Sequence, residues 1–254
     1  MDEIKKQLEA LFEDMLTDVK AFRRKTYTGI FEKKSAQYEP LLTQIETVCQ
    51  EAGEENLEAV IEELAHVIPA YAYEKMQTLS KGKKDRVSVD YNMNMAVYVI
   101  PILNYPNTTN CVEVAKRTVK IWNKKGVTNL PLSYSTYQDI SGGFRTSLCY
   151  ITTAVCENMQ KPDDCYELET LRNYRDTYLM ETEEGRSLVE DYYETAPGLV
   201  LIMGMQKEKD EIYDRLYHTY LMPCIHMIEA GENEACKRHY MEMVNGLKEQ
   251  YFCS

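Results

Sequence analysis

The chain has 254 residues, 44% of them hydrophobic and 28% charged, which fits a globular protein and excludes a disordered polyelectrolyte. Its net charge of −12 sits almost wholly in residues 146–254, where 10 Lys+Arg face 21 Asp+Glu; residues 1–145 carry 19 against 20. Such an acidic half argues against a nucleic-acid surface there, and the longest apolar run, residues 95–103, is too short to cross a bilayer.

The first fifteen residues are charged and amphipathic, with no apolar stretch of the secretory type, so a cytoplasmic location is expected. Leu8, Leu11, Phe12, Met15, Leu16, Val19 and Phe22 recur at helical spacing and predict a first helix with one broad apolar face. Tyr38, Leu41, Leu42, Ile45, Val48 and Cys49 predict a second. Leu57, Val60, Ile61, Leu64, Ala65 and Ile68 predict a third, with Pro69 expected to kink or break it. Residues 80–90 are polar and read as a loop and a domain boundary.

Residues 92–103 read as an apolar helix with Pro101 near its end, and Asn107-Thr-Thr-Asn110 as the cap of a helix running to Trp122. Ser135 to Gln138 form S-x-x-Q, a capping box opening a short helix that Gly142-Gly143 stops. Helices follow over residues 148–159 and 164–180. Another runs over 183–195, ended by Ala196-Pro197-Gly198, and a closing hairpin turns around Gly231. The expected fold is all-α: a multi-helix bundle in one or two packed helical subdomains. Residues 1–80 form an N-terminal amphipathic bundle and residues 91–254 a helical domain that carries the segment 149–200. The basic runs 20–25, 81–86 and 116–125 read as solvated helix ends and loops.

Chemistry concentrates in residues 149–200, which hold three of the eight cysteines. No pair is spaced C-x-x-C, so in a reducing compartment all are expected as free thiols, mostly core filler. Asp164-Cys165-Tyr166-Glu167 reads as a D-x-x-E cap, with Asp164 at the N-cap and Cys165 in the first turn. The positive end of the helix dipole there favours a thiolate; Asp163, Asp164 and Glu167 oppose it. Cys149 and Cys156 are seven apart and share a helix face, roughly 10 Å along the axis, too far to bridge each other. Arg172 and Arg175 flank the stripe of Leu168, Leu171 and Leu179. They could hold an anion, or pair with Asp176 and with Glu190, Asp191 or Glu194 of the next helix. A zinc site from Cys149, Cys156, His218 and His226 lacks local ligand spacing, and no phosphate loop, dinucleotide, zinc-protease or serine-hydrolase motif occurs, so no cofactor is expected.

The stretches CYITTAVC and KPDDCYELETLRNYRDTYL resemble proteins of gut Firmicutes that carry CYITTAVC followed by PDDCYEL..LR.FRD..L and then a YY..AP element. The first stretch is also similar to a broader bacterial box, Cys-Phe-Ile-Ala-Thr-Ala, followed by LR.FRD. Cys149 matches the box cysteine, and Thr153 and Ala154 its final pair; Thr152 stands where the box has Ala, and Cys156 replaces a Tyr-Gly. The resemblance spans about residues 135–252 and implies an appended module, with no activity attached.

The leading expectation is a cytoplasmic all-α interaction or accessory protein whose partner is another protein, not nucleic acid or membrane, with self-association into a homo-oligomer open. Its 20 Tyr and 13 Met suit partner contact. The rival is a thiol-dependent enzyme, with Cys165 and Cys149 as catalytic groups and Arg172 and Arg175 binding the ligand, or a Cys/His metal protein centred on Cys149, Cys156 and Cys165.

Overall fold

A computed structural model describes residues 1–144 and 149–252, and no strand occurs among them. The fold is all-α. The expected helix start at Leu148 and the eighth cysteine, Cys253, lie outside the described residues. Two compact units emerge, residues 1–143 and 144–254, instead of a division at residues 80–90.

In the first unit α1 (Asp2–Asp18), α2 (Arg24–Glu51) and α3 (Gly53–Gln77) pack on one another. Pro69 does not break α3. Apolar residues are buried on both sides of it, Ile61, Leu64 and Ile68 before and Ala72 and Met76 after, so packing outweighs one lost ladder bond. The polar stretch read as a loop is the start of α4 (Lys81–Asn94), whose other end buries Ser88, Tyr91, Asn92, Met93 and Asn94. A short α5 (Ile100–Asn104), α6 (Thr109–Lys125) and α7 (Tyr137–Gly142) complete the unit. Gly126, at φ 62°, takes the left-handed turn that ends α6. The capping box of α7 falls one residue later than S-x-x-Q predicts. Asp139 N–H donates to the Thr136 hydroxyl at 3.1 Å, and the Asp139 carboxylate accepts from Thr136 N–H at 2.8 Å. Ser135 is drawn off to donate to the Ala96 carbonyl.

Asn92 is fully buried, and its side chain satisfies four groups. Its amide donates to the carbonyls of Leu130 (3.1 Å) and Pro131 (3.0 Å), and its oxygen accepts from Trp122 Nε1 (3.1 Å) and the Thr128 hydroxyl (2.7 Å). The segment after α6 is thereby tied to α4. Phe12 packs edge-on to Tyr91, with ring centroids 4.9 Å apart, and sits 6.2 Å from Trp122.

In the second unit α8 (Tyr150–Asn158), α9 (Tyr166–Thr177), α10 (Glu183–Met205), α11 (Lys209–Leu216), α12 (Met222–Glu229) and α13 (Asn233–Tyr251) share a core of Ile151, Val155, Leu171, Leu199, Met203, Leu216, Leu221 and Leu247. The apolar run 199–205 is part of α10, which continues through Pro197 because Val189 before it and Leu199, Ile202 and Met203 after it face the same core. Gly185 lies so close to the Leu179 carbonyl that a Cβ there would sit 1.9 Å from the oxygen, so this turn admits only glycine.

Each unit contains one widened helical turn two residues before a proline: Met95–Val99 before Pro101, and Tyr217–Leu221 before Pro223. Proline has no N–H, and its ring collides with the carbonyl four residues back. The i→i+5 turn relieves the clash. The released Val97 carbonyl accepts from the Tyr27 hydroxyl at 2.9 Å, and the released Thr219 carbonyl lies 2.9 Å from His239 Nε2. A carbonyl only accepts, so Nε2 carries that hydrogen.

Asn92→Leu strands a buried indole N–H and the Pro131 carbonyl, while the Thr128 hydroxyl keeps the Leu130 carbonyl as a partner at 3.0 Å, so the first unit should lose about 2–4 kcal/mol in urea titration. Tyr27→Phe strands one carbonyl and should cost about 1–2 kcal/mol. An Asn92→Leu chain as stable as the parent would contradict this account of the core.

Candidate binding cleft in the second unit

A cleft with about 760 Å³ of empty space, mouth included, opens among α8, α9, α10 and α13. The turn of chemistry follows helix spacing. Leu171, Tyr174 and Arg175 are one stripe of α9, and Lys237, Tyr240, Met241, Val244, Asn245 and Lys248 are one face of α13. Leu188, Val189, Asp191 and Tyr192 come from α10, and Leu179 from the turn that Gly185 shapes. Cys149, the N-cap residue of α8, and Thr152 line the cleft from α8.

Each cation lining the cleft is already engaged. Arg175 Nε and Nη2 donate to the two Asp176 carboxylate oxygens at 2.7 and 2.8 Å. Its Nη1 donates to the Tyr193 hydroxyl at 2.8 Å and lies 3.5 Å from Cys149 Sγ. Lys237 pairs with Glu234 at 3.0 Å and Glu184 at 3.4 Å, and Lys248 with Asp191. The Tyr192 hydroxyl accepts from Ile151 N–H at 2.9 Å, and the Tyr240 hydroxyl meets Thr152 at 3.4 Å. Apart from the exposed Asn245 amide, what remains is aliphatic and aromatic surface.

Cys149 is 7% exposed. Burial pushes its thiol above the usual range; Arg175 and Arg172 act the other way and do not overcome it. The group facing the cleft is therefore a protonated thiol at neutral pH. Cys165 stands outside the cleft. It is the N-cap of α9, not a first-turn residue, and the expected D-x-x-E box does not form. Glu167 is buried instead, pairing with Lys161 and accepting from the Tyr217 hydroxyl at 2.7 Å. Cys149 and Cys156 pack together around Leu168, with Cys165 against them, so the three cysteines form one cluster of which Cys149 alone among them lines the cleft.

The arginines divide. Arg172 leaves Asp176 to its neighbour and grips Asp163, through the backbone carbonyl at 2.8 Å and the carboxylate at 2.7 Å. Arg175 alone of the two reaches the cleft. His218 and His226 are exposed and lie apart from the cysteine cluster; His218 pairs with Asp214 at 3.5 Å. Among the described residues no group of three or more His, Cys, Asp or Glu side chains is arranged to hold a metal ion. No helix among them is long and apolar enough to cross a membrane. The α13 face is the part of the site that the motif search passed over. Its signal was present as K-x-x-Y-M-x-x-V-N-x-x-K at i, i+3, i+4, i+7, i+8 and i+11.

Comparison with models of known protein families, with curated proteins and with solved structures finds no match to this chain.

Glu167 ties the connection between α8 and α9 to Tyr217. Burial alone would raise its carboxyl, but the Lys161 ammonium and the Tyr217 hydroxyl overcome that and bring it to about 2. A depressed carboxyl contributes stability that is complete above its unfolded value near ~4.3 and is lost as pH falls toward the folded one. Glu167→Gln should lower stability at pH 7 by about 2 kcal/mol and flatten the loss between pH 5 and 2. Urea midpoints at stepped pH check this; an unchanged acid limb would remove Glu167 from the account.

Proposed function

We propose that this chain is an all-α interaction protein that acts by binding instead of turnover, and that its second unit seats a neutral apolar group in the cleft over Cys149. The observation that carries this reading is the exhaustion of the lining charges. Arg175, Lys237 and Lys248 each have carboxylate partners, so an anionic ligand would have to compete with those carboxylates for the same cations. An aliphatic or aromatic group needs only the uncommitted surface of Leu171, Leu188, Val189, Met241 and Val244, and its burial supplies the affinity at ~25 cal/mol per Å². Burial keeps Cys149 protonated despite the arginine beside it, which weighs against a nucleophile, since thiol catalysis needs the thiolate.

The apolar group can be a free small molecule or a side chain presented by a partner polypeptide, and two arms of one experiment separate them. Melting of the full chain should rise in graded fashion with indole or 1-hexanol if the cleft takes small molecules. It should rise with amidated Trp- or Leu-anchored peptides, and little with the free compounds, if the anchor is a partner's side chain. A ligand at about 100 times its Kd adds about 2.7 kcal/mol of stability. Val244→Trp, which fills the cleft, should abolish both responses. Benzoate or hexanoate binding more tightly than the neutral compounds would overturn the reading. Cys149 at the cleft wall favours the thiol-enzyme alternative. That alternative gains if iodoacetamide modifies Cys149 faster than Cys165 in the native protein near pH 7.

A further inference from the structure

Cys156 and Cys165 meet on the side of α8 and α9 that the cleft does not use. Cys156 lies near the end of α8 and is fully buried; Cys165 caps the start of α9 and is half-buried, packed against the Cys149–Cys156–Leu168 cluster. The connection between them is held by backbone bonds. Lys161 N–H donates to the Cys156 carbonyl at 2.9 Å, and Cys165 N–H donates to the Pro162 carbonyl at 3.0 Å. Gln160 takes a left-handed turn, at φ 57°. Two side-chain clamps secure the same turn, Arg172 on Asp163 and Lys161 on Glu167. Two sulfurs, one reachable from solvent and one buried behind it, are thus brought together by a turn with little freedom to carry them apart. Cys224 also meets Cys236, but both of these are fully buried.

We propose that Cys156 and Cys165 form a dithiol oxidation site that a hydroperoxide, hydrogen peroxide or an alkyl hydroperoxide, converts to an intramolecular disulfide. The Cys165 sulfur attacks the peroxide. An S–O bond forms, the O–O bond breaks, and the alcohol or water leaves with the thiol's proton. The Cys156 sulfur then attacks the sulfenic acid. The S–S bond forms, the S–O bond breaks, and hydroxide leaves with the second proton as water. Two thiols and one hydroperoxide give one disulfide, one alcohol and one water, with each sulfur losing one electron to the peroxide oxygens. Burial and the adjacent Cys165 side chain raise the Cys156 thiol, so the buried sulfur is not the one that meets the peroxide. The bridge would staple the end of α8 to the start of α9, the helices that carry Cys149 and Arg175. The site stands whether or not the cleft binds an apolar group.

The test treats the whole chain with tert-butyl hydroperoxide, blocks remaining thiols with N-ethylmaleimide, and digests after glutamate. Cleavage after Glu157 puts Cys156 and Cys165 on separate peptides, and a second digestion with chymotrypsin, cutting after Tyr150, separates Cys149 from Cys156. The expected result is one linked pair, Cys156 with Cys165, as the dominant oxidised product, released by dithiothreitol. In Cys156→Ser, Cys165 should instead accumulate as a sulfenic acid trapped by dimedone. In Cys165→Ser, Cys156 should stay alkylatable after denaturation. If either variant fails to fold, the digest of the parent chain decides alone. Over-oxidation of Cys165 without a bridge would overturn the proposal, as would a dominant bridge to Cys149 or between chains. So would two intact thiols at a peroxide dose that oxidises a reference dithiol.

Discussion

A proline inside a helix leaves the carbonyl four residues back without a donor, and both units are arranged around the answer to that demand. In the first unit Tyr27 of α2 reaches the Val97 carbonyl behind Pro101, and Ser135 takes the Ala96 carbonyl beside it. In the second, His239 of α13 reaches the Thr219 carbonyl behind Pro223. Val97 is buried, and a buried acceptor lacking a partner costs about 1–3 kcal/mol, so α2 is held in one register; the Thr219–His239 bond lies at the surface and adds less. The placement of α13 has a functional consequence. His239 precedes Tyr240, and the face that begins with Lys237 and Tyr240 is the wall of the cleft.

The same accounting explains what the cleft is suited to hold. Its ion pairs close among neighbours on α9, α10 and α13, and its tyrosine hydroxyls close on Ile151 N–H and Thr152. With the charges paired within the wall, selectivity falls mainly to shape and burial. Cys149 belongs to this arrangement as a neutral member. Its burial outweighs the arginine beside it, so the sulfur behaves as a polarizable apolar atom.

Glu167 and Arg172 illustrate how side chains on one short helix are assigned to different tasks. Spacing alone allowed Glu167 to cap its own helix and Arg172 to pair with Asp176 four residues on. In the folded chain Glu167 turns inward to Lys161 and Tyr217, and Arg172 turns back to Asp163. Both stabilise the α8–α9 connection. A local pair exposed to water is worth only tenths of a kcal/mol, so Glu167 gives it up for buried partners, and Arg172 for a residue that offers a carboxylate and a backbone carbonyl together.

The sequence by itself determined the all-α class and the positions of α1, α6, α9 and α13 to within a few residues, because one-sided apolar spacing is a property of the chain alone; it marked only the second half of α2. It also marked the segment that carries Cys149, Cys156, Cys165 and Arg175. Tertiary packing decided the rest. It carried α3 and α10 through Pro69 and Pro197, since buried residues on both sides outweigh a missing ladder bond. It made a helix of the polar residues 81–90 by burying the far end of α4. It gathered three cysteines into one cluster, left His218 and His226 in solvent, and set Arg175 but not Arg172 at the cleft. Periodicity says which face of a helix is turned inward; which other face it meets depends on packing between segments far apart in the chain, and the site exists only where those faces meet.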